Sequence, residues 1–408
     1  MKSLYITSLK VPLLNALNIK INMKKEESAD LLLENDLPDI EEIAKRIEKL
    51  AIFENVYIFE NKPVDGIKKY IKNQTNKPVQ VCLQNTMNEL VYNIRAKWSK
   101  KYRFIYKILN GKKVNLELYD NIYVCSFSDF VFNSIDIMYS KNLKRINIIE
   151  GSIRAYFFNT AELFMNKYPN VDLGFYLYEK KYKVWNSKNI DIYNIKKLDK
   201  SNIEFVNLVN YIFNVPQELK DISNKIIFFD QVSEPMPDYL KNANKILKII
   251  LYNAYNKHSI ENKFYNTKVE IVNDLWEIFQ QYGYNKNDIV IKLHPRTQKG
   301  IPEVYKNFKF IGDIDNKDNI PWEIYLLNNK VNNSILITMF STAVVSELYN
   351  FSDINNNKFV LLYPLYNLEE YIDDKKKFFC FMEKLQKDNK NFNIVFKKDD
   401  IIKNIIYK

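Results

Sequence analysis

Residues 269–294 read VEIVNDLWEIFQQYGYNKNDIVIKLH, and the hydrophobic period changes halfway through. Ile271, Val272, Leu275, Ile278, Phe279 and Tyr282 recur at helical spacing, which predicts a helix over 269–282 with one apolar face. Gly283 follows at the C′ position, where glycine commonly closes a helix. Ile289-Val290-Ile291-Lys292-Leu293 is then a short strand run, bounded by polar turn residues. A helix leading through a tight turn into such a strand is the repeating step of a parallel α/β sheet.

Working outward, the same alternation covers most of the chain. Strands are expected at 4–6, 55–59, 79–83, 121–125 and 146–149, with a helical segment near 63–73. A second series has strands at 226–229, 289–293, 308–311, 335–340 and 358–362. It includes a helix near 236–257 and another with Pro321 in its first turn. Residues 165–215, rich in Tyr, Lys and Asn with weak periodicity, read as a connection ending at Val215-Pro216. A length of 408 residues favours two domains. The expected fold class is α/β and GT-B-like, with two doubly wound Rossmann-type domains facing across a cleft. The domains are expected at 1–220 and 221–408, the last helix being free to pack back on the first domain.

Composition removes several mechanisms. The chain has seven glycines, against the roughly thirty that average usage of about 7 per cent implies. They are too dispersed to write a Gly-rich dinucleotide fingerprint or a P-loop. His258 and His294 are the only histidines, so a multi-histidine metal centre is excluded. Cys82, Cys125 and Cys380 show no CxxC spacing and read as reduced thiols. The formal charge of +11 admits a polyanion partner. Basic residues alternating with acids, as in KKEESAD and KKDDIIK, favour a solvated surface instead. No apolar run reaches the 18 residues needed to cross a bilayer. The expected location is the cytoplasm or the cytoplasmic face of the inner membrane.

Ligands in open α/β sheets gather at the carboxyl ends of strands, so polar residues there are candidates. Strand 146–149 runs into Glu150-Gly151-Ser152, a carboxylate followed by a residue that a substrate can approach closely. Strand 289–293 ends in His294-Pro295-Arg296, the proline keeping the histidine out of helical conformation. Strand 335–340 leads to Ser341-Thr342 at a helix start, which reads as an anion site or a simple N-cap. Asp230-Gln231 follow strand 226–229. A carboxylate, an imidazole and a hydroxyl-lined helix start suit transfer from a phosphate-linked donor. Asp313-Ile314-Asp315 lies in a charged turn and reads as structural.

These motifs resemble those of bacterial GT-B sialyltransferases, which carry a [DE][DE]G motif, then HP, then Ser-Ser or Ser-Thr. The corresponding residues are Ile149-Glu150-Gly151, His294-Pro295 and Ser341-Thr342. Pro321-Trp322-Glu323 and Phe229-Asp230-Gln231 make the pattern most similar to the lipooligosaccharide sialyltransferases, glycosyltransferase family 52, related to the capsule polysialyltransferases. The resemblance spans roughly residues 146–350. Ile149 departs from it, standing where the family often has its first acid.

The resemblance implies inverting transfer of sialic acid from CMP-sialic acid to a glycan hydroxyl, with no cofactor and no metal. Glu150 would be the general base, His294 would meet the departing phosphate, Ser341 and Thr342 would bind its oxygens, and Glu323 would hold the ribose. Gly151, Ser152, Asp230, Gln231, Pro295 and Arg296 would complete the substrate site. The first domain would then bind the acceptor and the second the donor. Expected partners are the CMP-sialic acid donor and a lipooligosaccharide or capsule glycan acceptor, not nucleic acid. Peripheral membrane contact and a homodimer stay open. So do polysialyl transfer, another sugar nucleotide, and a non-catalytic polyanion-binding role.

Overall fold

A computed structural model describes residues 2–34, 39–59, 114–125, 129–141, 143–157, 160–185, 190–216, 221–231, 252–294, 303–305, 309–310, 320–353, 356–366, 368 and 374–403. The first half contains β1 (Ser3–Thr7), α1 (Lys10–Asn22), β2 (Ala29–Glu34), α2 (Ile40–Lys49), β3 (Val56–Phe59), β4 (Asn121–Val124), α3 (Asp129–Tyr139), β5 (Arg145–Ile149), α4 (Arg154–Phe157), α5 (Thr160–Lys167), β6 (Asp172–Leu177), β7 (Asp191–Asn194) and α6 (Ile203–Phe213). Its strands form one sheet in the order β3-β2-β1-β4-β5-β6-β7, and every neighbouring pair is parallel.

The second half contains β8 (Ile226–Phe229), α7 (Tyr252–Gln281), β9 (Ile289–Lys292), β10 (Lys309–Phe310), α8 (Trp322–Asn328), β11 (Ile335–Thr338), α9 (Thr342–Asn350), β12 (Lys358–Leu361), α10 (Lys375–Asp388), β13 (Phe392–Ile394) and α11 (Lys398–Ile401). Its sheet has the order β10-β9-β8-β11-β12-β13, again parallel throughout. Both sheets are therefore doubly wound, as the β/α alternation predicts. Strand order reverses between β1 and β4 in one and between β8 and β11 in the other. Such reversals open a crevice at the strands' carboxyl ends.

The chain forms two compact units. One comprises Met1–Glu60, Ile108–Gln231 and Tyr284–Lys408, and so holds both sheets; the other comprises Asn61–Lys107 and Val232–Gly283. This differs from a division at 220/221. The sheets change over between β7 and β8, but the chain around them is laced together. Leu198 donates its N–H to Asn350 O and accepts from Ser352 N at 2.7 and 3.0 Å. Asn210 on α6 and Asn328 on α8 exchange amide hydrogen bonds of 2.6 and 2.8 Å. Helix α10 sets Phe381 5.1 Å from the Tyr156 ring and Phe378 5.8 Å from the Phe157 ring. At its flank, Lys384 Nζ donates to Lys183 O and Lys181 pairs with Asp388.

Segment 165–215 is the main correction. It supplies β6, β7 and α6 rather than an irregular connection. Gly174 weakens the strand pattern of DLGFYL, yet Leu173 to Leu177 are all buried. A Cβ on Gly174 would stand 2.6 Å from Asn147 Oδ1, so a larger residue would force that side chain to shift. Helix α7 is continuous from Tyr252, where two helices with a break near 258–268 were expected; no Gly or Pro interrupts it. Pro321 is the N-cap of α8 rather than part of its first turn. Expected elements at 63–73 and 79–83, and most of the one near 236–257, lie outside the described residues. No helix among the described residues is long and apolar enough to cross a membrane.

Candidate functional site

Glu150 directly follows β5, and its backbone N–H continues the ladder to Tyr176 O at 2.9 Å. Its side chain is turned inward, so that the residue is 2% exposed. Oε2 accepts from the Tyr156 hydroxyl at 2.6 Å and from the Tyr178 N–H at 3.0 Å. Tyr156 is itself fixed, because its hydroxyl accepts from Glu179 N. Burial pushes the carboxyl up to about 8, against the pull of these two donors; the Glu323 carboxylate adds a smaller push. The residue is thus largely protonated at neutral pH and ionises in mildly alkaline solution.

The Glu150 backbone is also held, Asn15 Nδ2 on α1 donating to its carbonyl at 2.5 Å. Asn15 Oδ1 accepts from the Tyr178 hydroxyl at 2.8 Å, which closes a network linking α1, β5 and β6. Gly151 allows the chain to turn here. A Cβ at that position would be 2.6 Å from the Cys125 carbonyl oxygen, below any tolerated contact. Ser152, exposed beyond the turn, accepts from Arg154 N.

At the carboxyl edge of the second sheet, Asp230 follows β8. It is buried and accepts from the Tyr305 hydroxyl at 2.7 Å, and its N–H donates to Lys292 O at 2.9 Å. Gln231 and His294 are half-buried, His294 lying just past β9. Pro295, Arg296 and the Asp313–Asp315 turn lie outside the described residues. Ser341 is the N-cap of α9, its hydroxyl accepting from Ala343 N at 3.4 Å, and Thr342 is the first helical residue. The Ser341 N–H donates to Thr338 Oγ1 at 2.7 Å.

Glu323, in the first turn of α8, is 6% exposed. Burial raises its pKa, while its own backbone N–H, the Ser346 hydroxyl and the Lys292 ammonium pull in the opposite direction. Lys292 was not singled out in the sequence. It ends β9 at 6% exposure, and burial pushes its ammonium down to about 8, with Glu323 opposing that shift and Lys10 reinforcing it. A signal was available: a lysine closing the apolar run Ile289-Val290-Ile291 of a parallel strand is placed where charge is costly.

The structure therefore brings Glu150, at the end of β5, and Glu323, in α8, into each other's field, with Tyr178 and Tyr349 feeling both. Lys292 feels the charge of Glu323 and, more weakly, that of Lys10. Among the described residues, no group of three or more His, Cys, Asp or Glu is gathered to hold a metal ion.

No family model matches the chain, and no curated protein does. Among solved structures, Arabidopsis thaliana UGT89C1 complexed with UDP is similar over 92% of this chain and 84% of that one, at 10% identity and a TM-score of 0.40. A likeness of that degree transfers neither donor nor acceptor to this chain.

Proposed function

We propose that this protein is a glycosyltransferase, and specifically an inverting sialyltransferase that moves sialic acid from CMP-sialic acid to a hydroxyl of a cell-surface glycan. The observation that carries the reading is the buried Glu150 carboxyl, with a pKa pushed to about 8 and its orientation fixed by Tyr156 and Tyr178. A general base works best when its pKa lies near the operating pH. Glu150 would take the proton of the acceptor hydroxyl as that oxygen attacks the anomeric carbon. The bond from that carbon to the phosphate oxygen breaks, and its electron pair leaves with CMP.

His294 and the Ser341–Thr342 start of α9 would meet the departing phosphate. Negative charge grows there during the reaction, and pre-placed donors stabilise it without reorganisation. Asp230 and Gln231, at the end of β8, lie at the same sheet edge. Glu323 would hold the ribose hydroxyls of the donor.

Purified protein given CMP-sialic acid and a panel of galactosides and sialosides should release CMP faster than buffer does. No release above buffer would end the sialyltransferase reading. Parallel incubations with UDP- and GDP-sugars would show whether the reaction class survives with another donor.

A further inference from the structure

Helix α1, KVPLLNALNIKIN, carries asparagines at 15, 18 and 22. Spaced three and four apart, they lie on one side of the helix. Asparagine is a weak helix former, and burying an amide is costly unless it is hydrogen-bonded. Asn15 and Asn18 are nonetheless 2% and 1% exposed, within a stretch of α1, residues 12–20, that is buried throughout. An apolar residue would fill either place with less desolvation, so the presence of these amides is accounted for by what they bind.

Together they grip the chain just beyond three neighbouring strands. Asn15 Nδ2 donates to Glu150 O, directly after β5, at 2.5 Å. The Tyr178 hydroxyl, directly after β6, donates to Asn15 Oδ1 at 2.8 Å and accepts from Asn18 Nδ2 at 3.4 Å. Asn18 Nδ2 also donates to Lys196 O, past the end of β7, at 2.7 Å. Asn22 Nδ2 in turn donates to Asn18 Oδ1 at 2.8 Å.

Tyr178 therefore holds Glu150 twice. Its backbone N–H donates to Oε2 at 3.0 Å, and its hydroxyl reaches the Glu150 carbonyl through the Asn15 amide. The result is a closed ring of hydrogen bonds that fixes both the main chain and the carboxyl of Glu150. Satisfying a strand-end carbonyl takes one donor only; it does not call for that donor to be gripped by the residue that also holds the carboxyl.

We propose that Asn15 and the Tyr178 hydroxyl are positioning residues for Glu150, acting through its side-chain conformation rather than on a substrate, with Asn18 and Asn22 bracing them along α1. The role rests on the reading of Glu150 as general base. Misplacing a reacting group by about 1 Å can cost about a hundredfold in rate, so a base at the end of a strand gains from being held at both ends.

The test uses the full chain and two independent readouts. The first is amide hydrogen exchange followed by NMR on 15N-tyrosine-labelled protein, the Tyr178 signal being assigned by its loss in Tyr178→Phe. In Asn15→Leu the Tyr178 amide should exchange faster by about tenfold or more, the factor one lost hydrogen bond implies. The Tyr123 amide in β4 should stay within about twofold, because local opening does not spread to the sheet core. Asn15→Ser repeats the measurement should Asn15→Leu not fold.

The second readout is CMP release. In Asn15→Leu and in Tyr178→Phe, which deletes a single oxygen, kcat should fall by about ten- to a hundredfold with the donor KM within about twofold. A merely structural role would lower the melting temperature and leave kcat per folded molecule in place. Unchanged exchange at Tyr178, or full turnover in both variants, overturns the positioning role. Faster exchange at Tyr178 in a protein whose wild type releases no CMP leaves Asn15 as the clasp on Glu150 and ends the sialyltransferase reading instead.

Discussion

The Tyr156 hydroxyl donates to Glu150 Oε2 across 2.6 Å, and the Tyr156 ring lies edge-on to Tyr349 at 5.4 Å. The carboxyl that follows a strand of the first sheet is therefore fixed by a side chain wedged against a helix of the second half. Charge state and packing meet in one residue.

Removing that hydroxyl should move the Glu150 titration. The hydrogen bond favours the ionised carboxylate, so Tyr156→Phe should raise its midpoint above about 8. Carboxyl 13C NMR, with Glu150 assigned by the signal lost in Glu150→Gln, would measure it. An unchanged midpoint would show that Tyr156 does not tune the carboxyl.

On the proposed reaction, Glu150→Gln and His294→Ala should each lower turnover by at least about a hundredfold, the lower range for acid–base groups. Circular dichroism would confirm that each variant is folded. Near-normal CMP release by either variant would remove that residue from its assigned role.

Stability should dip near pH 8, and the two sides of the dip have different owners. Glu150 is raised from about 4.5, so its contribution is complete below that value and is lost as pH climbs to about 8. Lys292 is lowered from 10.5, so its contribution is complete above that value and is lost as pH falls to about 8. Urea midpoints across pH 5–10 should flatten on the acid flank in Glu150→Gln and on the alkaline flank in Lys292→Met. Identical profiles in both variants and wild type would count against the burial of these charges.

Gly151→Ala should destabilise the protein by about 1–3 kcal/mol, the usual range for overpacking. The added Cβ meets a backbone carbonyl, that of Cys125, which cannot swing aside. Chemical denaturation measures the loss, and a neutral substitution would mean that the β5 turn yields more readily than its geometry indicates.

Phe381→Ala should cost about 3–5 kcal/mol, the range for a buried phenylalanine. Its ring is fully buried and contacts those of Tyr156, Phe157, Tyr182 and Tyr349. A loss below about 1 kcal/mol, within the range of surface substitutions, would show that α10 is not integral to the core.

The sheets were legible because parallel strands buried on both faces leave short apolar runs, as in Ile226-Ile227-Phe228-Phe229 and Ile335-Leu336-Ile337. Strand β2 escaped because its Ala-Asp-Leu-Leu-Leu-Glu run carries two acids. Asp30 is nevertheless buried, taking Lys2 at 3.0 Å and the Tyr119 hydroxyl at 2.6 Å, partners too far along the chain to anticipate. Glu150 could be singled out by position alone, as an acid at a strand's end. Lys292 could not be weighed in the same way, since its significance depends on Glu323 and Lys10, which only the folded chain places around it.

The rings of α10 pack on Tyr156 and Phe157 from a position more than two hundred residues later in the sequence. A ribosome extending this chain therefore releases the first sheet long before the wall of its own carboxyl edge has been synthesised. Until Phe378 and Phe381 emerge, Tyr156 and Phe157 have no aromatic cover from that side, and the nascent chain presents a sticky apolar patch. Truncation before residue 375 should accordingly yield an aggregation-prone fragment, seen as a loss of soluble protein on expression.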